Sequence, residues 1–125
     1  MISISLWFLA SILNGAMDMN FNMFGNSIFS TFKNQNFWNP QLSWVNKWKD
    51  GDRANGEKFF GSSTFLVWTT DSWHLIKMLF LTTLLFSILS LPYNLIFESI
   101  WLNLLLYIVV WFLGFESTLR LLKIK

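Results

Sequence analysis

The stretch Thr69-Thr70-Asp71-Ser72-Trp73-His74-Leu75-Ile76-Lys77 sets a carboxylate, an imidazole and an ammonium at intervals of three residues. On a helix, residues so spaced are neighbours on adjoining turns. A carboxylate beside an imidazole fixes its tautomer and raises its basicity, which is what a general base needs. Asp71 and His74, with Asp18 from an earlier segment, therefore form the candidate catalytic set. Lys77, Lys47, Lys49 and Arg53 are the cations available to hold an anionic headgroup or a phosphate. Plainer roles stand beside these. Asp71 followed by Ser72 reads as a helix N-cap, His74 as an interfacial or core residue with one nitrogen satisfied, and Lys77 as a snorkelling side chain.

Asp18, Asp71 and His74 lack the spacing of a metal site, so no metal is assigned and no cofactor is specified. A single histidine cannot give haem two histidine axial ligands from one chain. With no cysteine, disulfides, thiolate metal sites and cysteine nucleophiles are all excluded. Ser62, Ser63 and Thr64 lie outside any nucleophile-elbow pattern and read as a turn. Nucleotide-binding, zinc-protease, phosphatidyltransferase and kinase motifs are absent. Nine Lys and Arg against seven Asp and Glu leave +2, too little for a protein that binds nucleic acid by neutralising phosphates.

The elements that must position these groups belong to a membrane. Of 125 residues, 54% are apolar, 19% aromatic and 13% charged. A soluble domain carries about 25% charged residues. Residues 1–32 hold one charged side chain, Asp18, and residues 78–97 hold none. The fold class expected is all-α, a small polytopic membrane protein with three transmembrane helices and a short interfacial helix in a single membrane domain.

The first helix is predicted over residues 1–32. Its uncharged opening of 17 residues reaches only about 25 Å, but Met17, Phe21, Phe24, Ile28 and Phe32 continue one helical face beyond it. Asn14, Asp18, Asn22 and Asn26 make a polar stripe that must meet other helices or leave the lipid core. Gly15 and Gly25 mark a kink or a close helix contact. The first basic residue is Lys33, so the opening run lacks the basic n-region of a secretory signal and is expected to be retained as a helix.

Residues 33–64 form a charged, glycine-bearing loop. Asn39 and Pro40 open a helix and Asp50 and Gly51 stop one. Trp44 and Trp48, four apart between them, suit either the headgroup layer or packing on the protein. Trp38, Trp44, Trp48 and Trp73 are the expected interfacial aromatics. The second helix is predicted over residues 65–91, its crossing starting near Ser72. A turn at Pro92, Tyr93 and Asn94 leads to the third, over residues 95–119. A re-entrant element at residues 59–70 is the main alternative.

Three crossings put the loop and the tail with Arg120, Lys123 and Lys125 on one side, the arrangement the positive-inside pattern requires. The expected location is a bacterial or organellar inner membrane, with the N-terminus outside and residues 33–61 and the C-terminus inside. Three helices bury little surface, and the exposed aromatic excess offers docking area. The leading expectation is thus a noncatalytic subunit or scaffold, in contact with lipids and with other membrane subunits or further copies of itself. The alternative is an inner-leaflet enzyme acting on a lipid or lipid-linked phosphate. A homo-oligomeric transporter or channel, with Glu98 and Asn103 on its path, is the third reading.

Overall fold

The three apolar runs become three long helices because only a helix satisfies its own backbone where water is absent. The computed structural model describes residues 2–91 and 95–124. In it α1 spans Ile2–Asn22, α2 Gln35–Trp38, α3 Pro40–Ser43, α4 Ser72–Ser90 and α5 Ile100–Leu122, linked by 3-10 turns. By length and composition α1, α4 and α5 can each cross a membrane. Their 21, 19 and 23 residues correspond to about 31, 28 and 34 Å, against a hydrocarbon core of about 30 Å. The described residues contain no strand, only the isolated antiparallel bridges Ser27–Lys123 and Trp48–Glu57. The all-α, three-helix expectation stands.

Hydrogen bonds along α1 set the directions of its neighbours. The Ser3 and Tyr107 hydroxyls pair, Trp7 Nε1 donates to the Tyr107 carbonyl at 2.9 Å, and Gly15 lies against Thr118, so α5 runs parallel to α1. Ser87 Oγ donates to the Ser3 carbonyl at 2.8 Å and Ser72 Oγ to Asn20 Oδ1 at 3.1 Å, so α4 runs antiparallel. Both helices pack along α1 and share no comparable face with each other. The α1–α5 seam depends on small residues. A Cβ on Gly114 would sit 1.8 Å from Ser11 Oγ, and one on Gly15 would sit 3.0 Å from the Phe115 carbonyl oxygen. Gly15 thus marks close helix contact, whereas Gly25 has open space where its Cβ would be.

The boundaries depart from expectation at three places. α1 stops at Asn22, and Phe24–Asn26 and Ile28–Thr31 are 3-10 turns. Asn22, Gly25, Asn26 and Ser27 hold helix weakly. The tail also competes for this backbone, since Ser27 is extended against Lys123 and Ile124 N donates to the Asn26 carbonyl at 2.9 Å. Turns of three keep the expected apolar face inward: Phe24, Ile28 and Phe32 pack with Trp38 on a core of Met19, Phe29 and Ile76. The second long helix starts at Ser72 instead of 65. Residues 59–66 are turns and Val67–Thr69 a 3-10 turn, so no long re-entrant helix forms there. The third starts at Ile100, because Asn103 draws residues 96–99 onto its side chain. The predicted turn at residues 92–94, and Lys125, lie outside the described residues.

Within the loop, Asn39 caps α3 by accepting from Gln41 N at 3.0 Å, with Pro40 in the first turn. The helix ends at Ser43, so Trp44 and Trp48 do not share a helical face. Asn46 is drawn away by bonds from its amide to the Asn36 and Thr70 carbonyls. Residues 47–49 then pair with 56–58 in a small hairpin. Asp50 and Gly51 turn it with φ of 55° and 74°, which Gly adopts freely and Asp tolerates.

Candidate functional site

The loop end of the bundle holds the chemistry-bearing residues. Thr70 closes a 3-10 turn, and Asp71 then takes an extended conformation with its side chain folded over the start of α4. One carboxylate oxygen, Oδ1, accepts the His74 backbone N–H at 2.9 Å, and the other, Oδ2, lies 2.7 Å from His74 Nδ1. The N-cap and the imidazole partner are therefore one residue in both roles. Asp71 keeps 4% of its side chain exposed and His74 keeps 25%. Thr70 Oγ1, 3.2 Å from Oδ2, closes the far side of the carboxylate. With Nδ1–H donating to Asp71, His74 Nε2 is the free ring nitrogen, with no partner among the described residues.

Lys77 stands one turn further along α4, its Nζ 4.6 Å above the Trp73 ring, a cation–π contact. Trp73 packs on Phe21 of α1 at 5.8 Å and edge-on to His74 at 4.8 Å. His74 and Lys77 line one pocket of about 320 Å³ with Phe65, Trp68, Met78 and Leu81.

The other expected members stay apart. Asp18 accepts from Asn22 Nδ2 on its own helix, and among the described residues the Asp, Asp, His set does not gather as a cluster. Lys47 and Arg53 flank the Trp48 ring at 5.7 and 5.8 Å, and neither they nor Lys49 reach the pocket that Lys77 lines. Trp44 is exposed. Trp38 is partly buried against the core of Met19, Phe29 and Ile76. It stacks on Phe29 at 5.4 Å and 15°, and its carbonyl accepts from both Asn20 and Ser72.

Asn20 and Ser72, both fully buried, tie α1, α4 and the loop at one point beside the dyad. Sequence reading missed this tie. The available signal was an Asn two residues from both Asp18 and Asn22, hence off their helical stripe, which in a membrane must find a partner of its own. Ser62 Oγ donates to the Lys47 carbonyl at 2.8 Å, Ser63 Oγ to Glu57, and Thr64 Oγ1 to the Gly61 carbonyl at 3.4 Å. All three hydroxyls serve the turn. The Ser63 hydroxyl and then the Gly61 N–H hold the Glu57 carboxyl below the usual carboxylate range. Chemically, the arrangement offers an oriented imidazole with one accepting nitrogen, a cation nearby and an apolar wall. No family model, curated protein or solved structure matches this chain.

Proposed function

We propose that this chain is a small noncatalytic subunit or scaffold of a larger membrane assembly, docked through the apolar groove between α4 and α5. One observation carries the reading: both helices pack on α1 and leave the face between them uncovered. Trp7 and Leu84 border that groove with Ile108, Trp111 and Phe112, enclosing about 310 Å³, and the Phe80–Trp111 ring contact at 6.2 Å spans its edge. In lipid, helices associate by shape and dispersion, so a grooved apolar face favours a fitted helix of another polypeptide over mobile acyl chains. The proposed orientation puts the loop end on the cytoplasmic or matrix side of an inner membrane. Lys33, Lys47, Lys49, Arg53, Lys58, Arg120 and Lys123 gather at that end, while Glu98 is at the other.

The test is purification of the tagged full chain in mild detergent. Other polypeptides at fixed stoichiometry are the expected result, with Ile108→Trp, which fills the groove, releasing them. A chain that purifies alone and monodisperse contradicts the reading, and one that purifies only with copies of itself replaces it with self-association.

A second reading, an inner-leaflet enzyme on a lipid or lipid-linked phosphate, is favoured by one feature: the Asp71–His74 contact lies beside Lys77 in one pocket. Here Asp71 orients His74 as base and Lys77 holds the anion. His74→Ala cells with an unchanged lipid profile contradict it. The transport reading loses Asn103, whose amide is taken up by the backbone of residues 96–99.

A further inference from the structure

We infer that the pocket at the start of α4 binds a single anionic phospholipid, its phosphate held by Lys77 Nζ, a headgroup hydroxyl donating to His74 Nε2 and its upper acyl chain laid along Met78 and Leu81. This goes beyond the subunit reading. It shares a site with the enzymatic one but requires no turnover.

The polar end of the pocket is built and unspent. Asp71 uses its carboxylate on His74 Nδ1 and on the helix cap, which orients the ring and leaves Nε2 for an external partner. Lys77 has no carboxylate within ion-pair distance; among the described residues His74–Asp71 is the one such contact. Its ammonium is held over Trp73, a ring itself fixed by Phe21. A cation so placed is available for a charge-assisted bond to phosphate while its stem covers apolar surface.

The other end of the pocket is apolar. Phe65, Val67, Trp68, Met78 and Leu81 supply the apolar lining, and Met78 and Leu81 lie further along α4 than His74 and Lys77. Phe65 and Leu81 are exposed, and the uncharged run of α4 starts at Met78. α4 matches the hydrocarbon thickness, so its first turns lie where headgroup gives way to acyl chain. An inorganic phosphate makes no use of that wall; a lipid uses both ends. A volume of about 320 Å³ accommodates a phosphate and the first part of a chain, with the remainder in the bilayer.

The experiment titrates the purified full chain in detergent with phosphatidylglycerol, phosphatidylcholine or inorganic phosphate, reading bound molecules by native mass spectrometry. One phosphatidylglycerol per chain is expected, bound roughly tenfold or more tightly than phosphatidylcholine. Lys77→Gln removes no hydrogen bond within the protein and should weaken that binding about tenfold. Lys77→Arg should retain it, and Lys58→Gln, away from the pocket, should change it less than about twofold. Equal binding of the two lipids overturns the proposal. So does an equal loss in Lys77→Gln and Lys58→Gln, which marks general charge. Displacement by inorganic phosphate at matched concentration, or undiminished affinity for a short-chain phosphatidylglycerol, shows that the apolar wall plays no part and overturns the lipid assignment. These readouts involve neither catalysis nor a protein partner, so their failure is separate from failure of either functional reading.

Discussion

Replacing Asp71 separates its two roles. Asp71→Ala removes the acceptor of the His74 N–H at 2.9 Å and that of His74 Nδ1 at 2.7 Å. Loss of an N-cap costs about 0.5–2 kcal/mol. The bond to a charged acceptor is worth about 1.5–3 kcal/mol. Because His74 is partly exposed and water can replace some of that bond, the expected loss is about 2–4 kcal/mol. Asp71→Asn keeps a cap oxygen, since Asn caps as well as Asp. Its amide NH₂ then faces Nδ1, which must become an acceptor, moving the ring proton to Nε2. The expected cost is below about 1.5 kcal/mol, but the tautomer inverts. Unfolding titrations in mixed micelles measure the first effect. Nitrogen NMR measures the second, and the chain's single histidine makes the signal unambiguous. Asp71→Ala within about 0.5 kcal/mol of wild type, Asp71→Asn as damaging as Asp71→Ala, or a wild-type ring protonated only at Nε2 each refutes the reasoning.

Gly114→Ala should cost about 1–3 kcal/mol by overpacking the α1–α5 seam. Adding Ser11→Gly, which removes the hydroxyl 1.8 Å from the new Cβ, should recover most of it, whereas additive losses in the double variant contradict the close approach. Acidification should loosen residues 57–63. The Glu57 carboxyl titrates lower in the folded chain than in the unfolded one, so its contribution is complete above the unfolded value of roughly 4.3 and is lost as pH falls through the folded value. The protection factors of the Gly61 and Ser63 amides against hydrogen exchange should fall across that range in wild type and show no such step in Glu57→Gln.

The apolar runs, the Asp71 cap of α4 and the Asn39–Pro40 helix start were legible because each depends on neighbours in sequence. Residue spacing alone could not tell α-helix from successive 3-10 turns after Asn22, since both bring residues three or four apart to one face. What ends α1 there is a pairing of Ser27 with Lys123 across most of the chain. The packing of Trp38 was not legible, because its carbonyl is taken by Asn20 and Ser72, 18 and 34 residues away. At the site, the Asp71–His74 spacing announced the dyad. The separation of Asp18 from it follows from the rotation of α1, which buries Asn20 and leaves Asp18 only partly covered.

The loop and tail lie at one end of the bundle, brought together by α1 and α5 running parallel, and in the proposed orientation they share one side of the membrane. The chain has no cysteine of its own, so single cysteines report cleanly. Arg53→Cys, Lys123→Cys and Glu98→Cys, probed in sealed membranes with an impermeant maleimide, give the most direct test. Labelling of positions 53 and 123 from the same side, and of 98 from the opposite one, is the predicted result. Positions 53 and 123 labelled from opposite sides would contradict it.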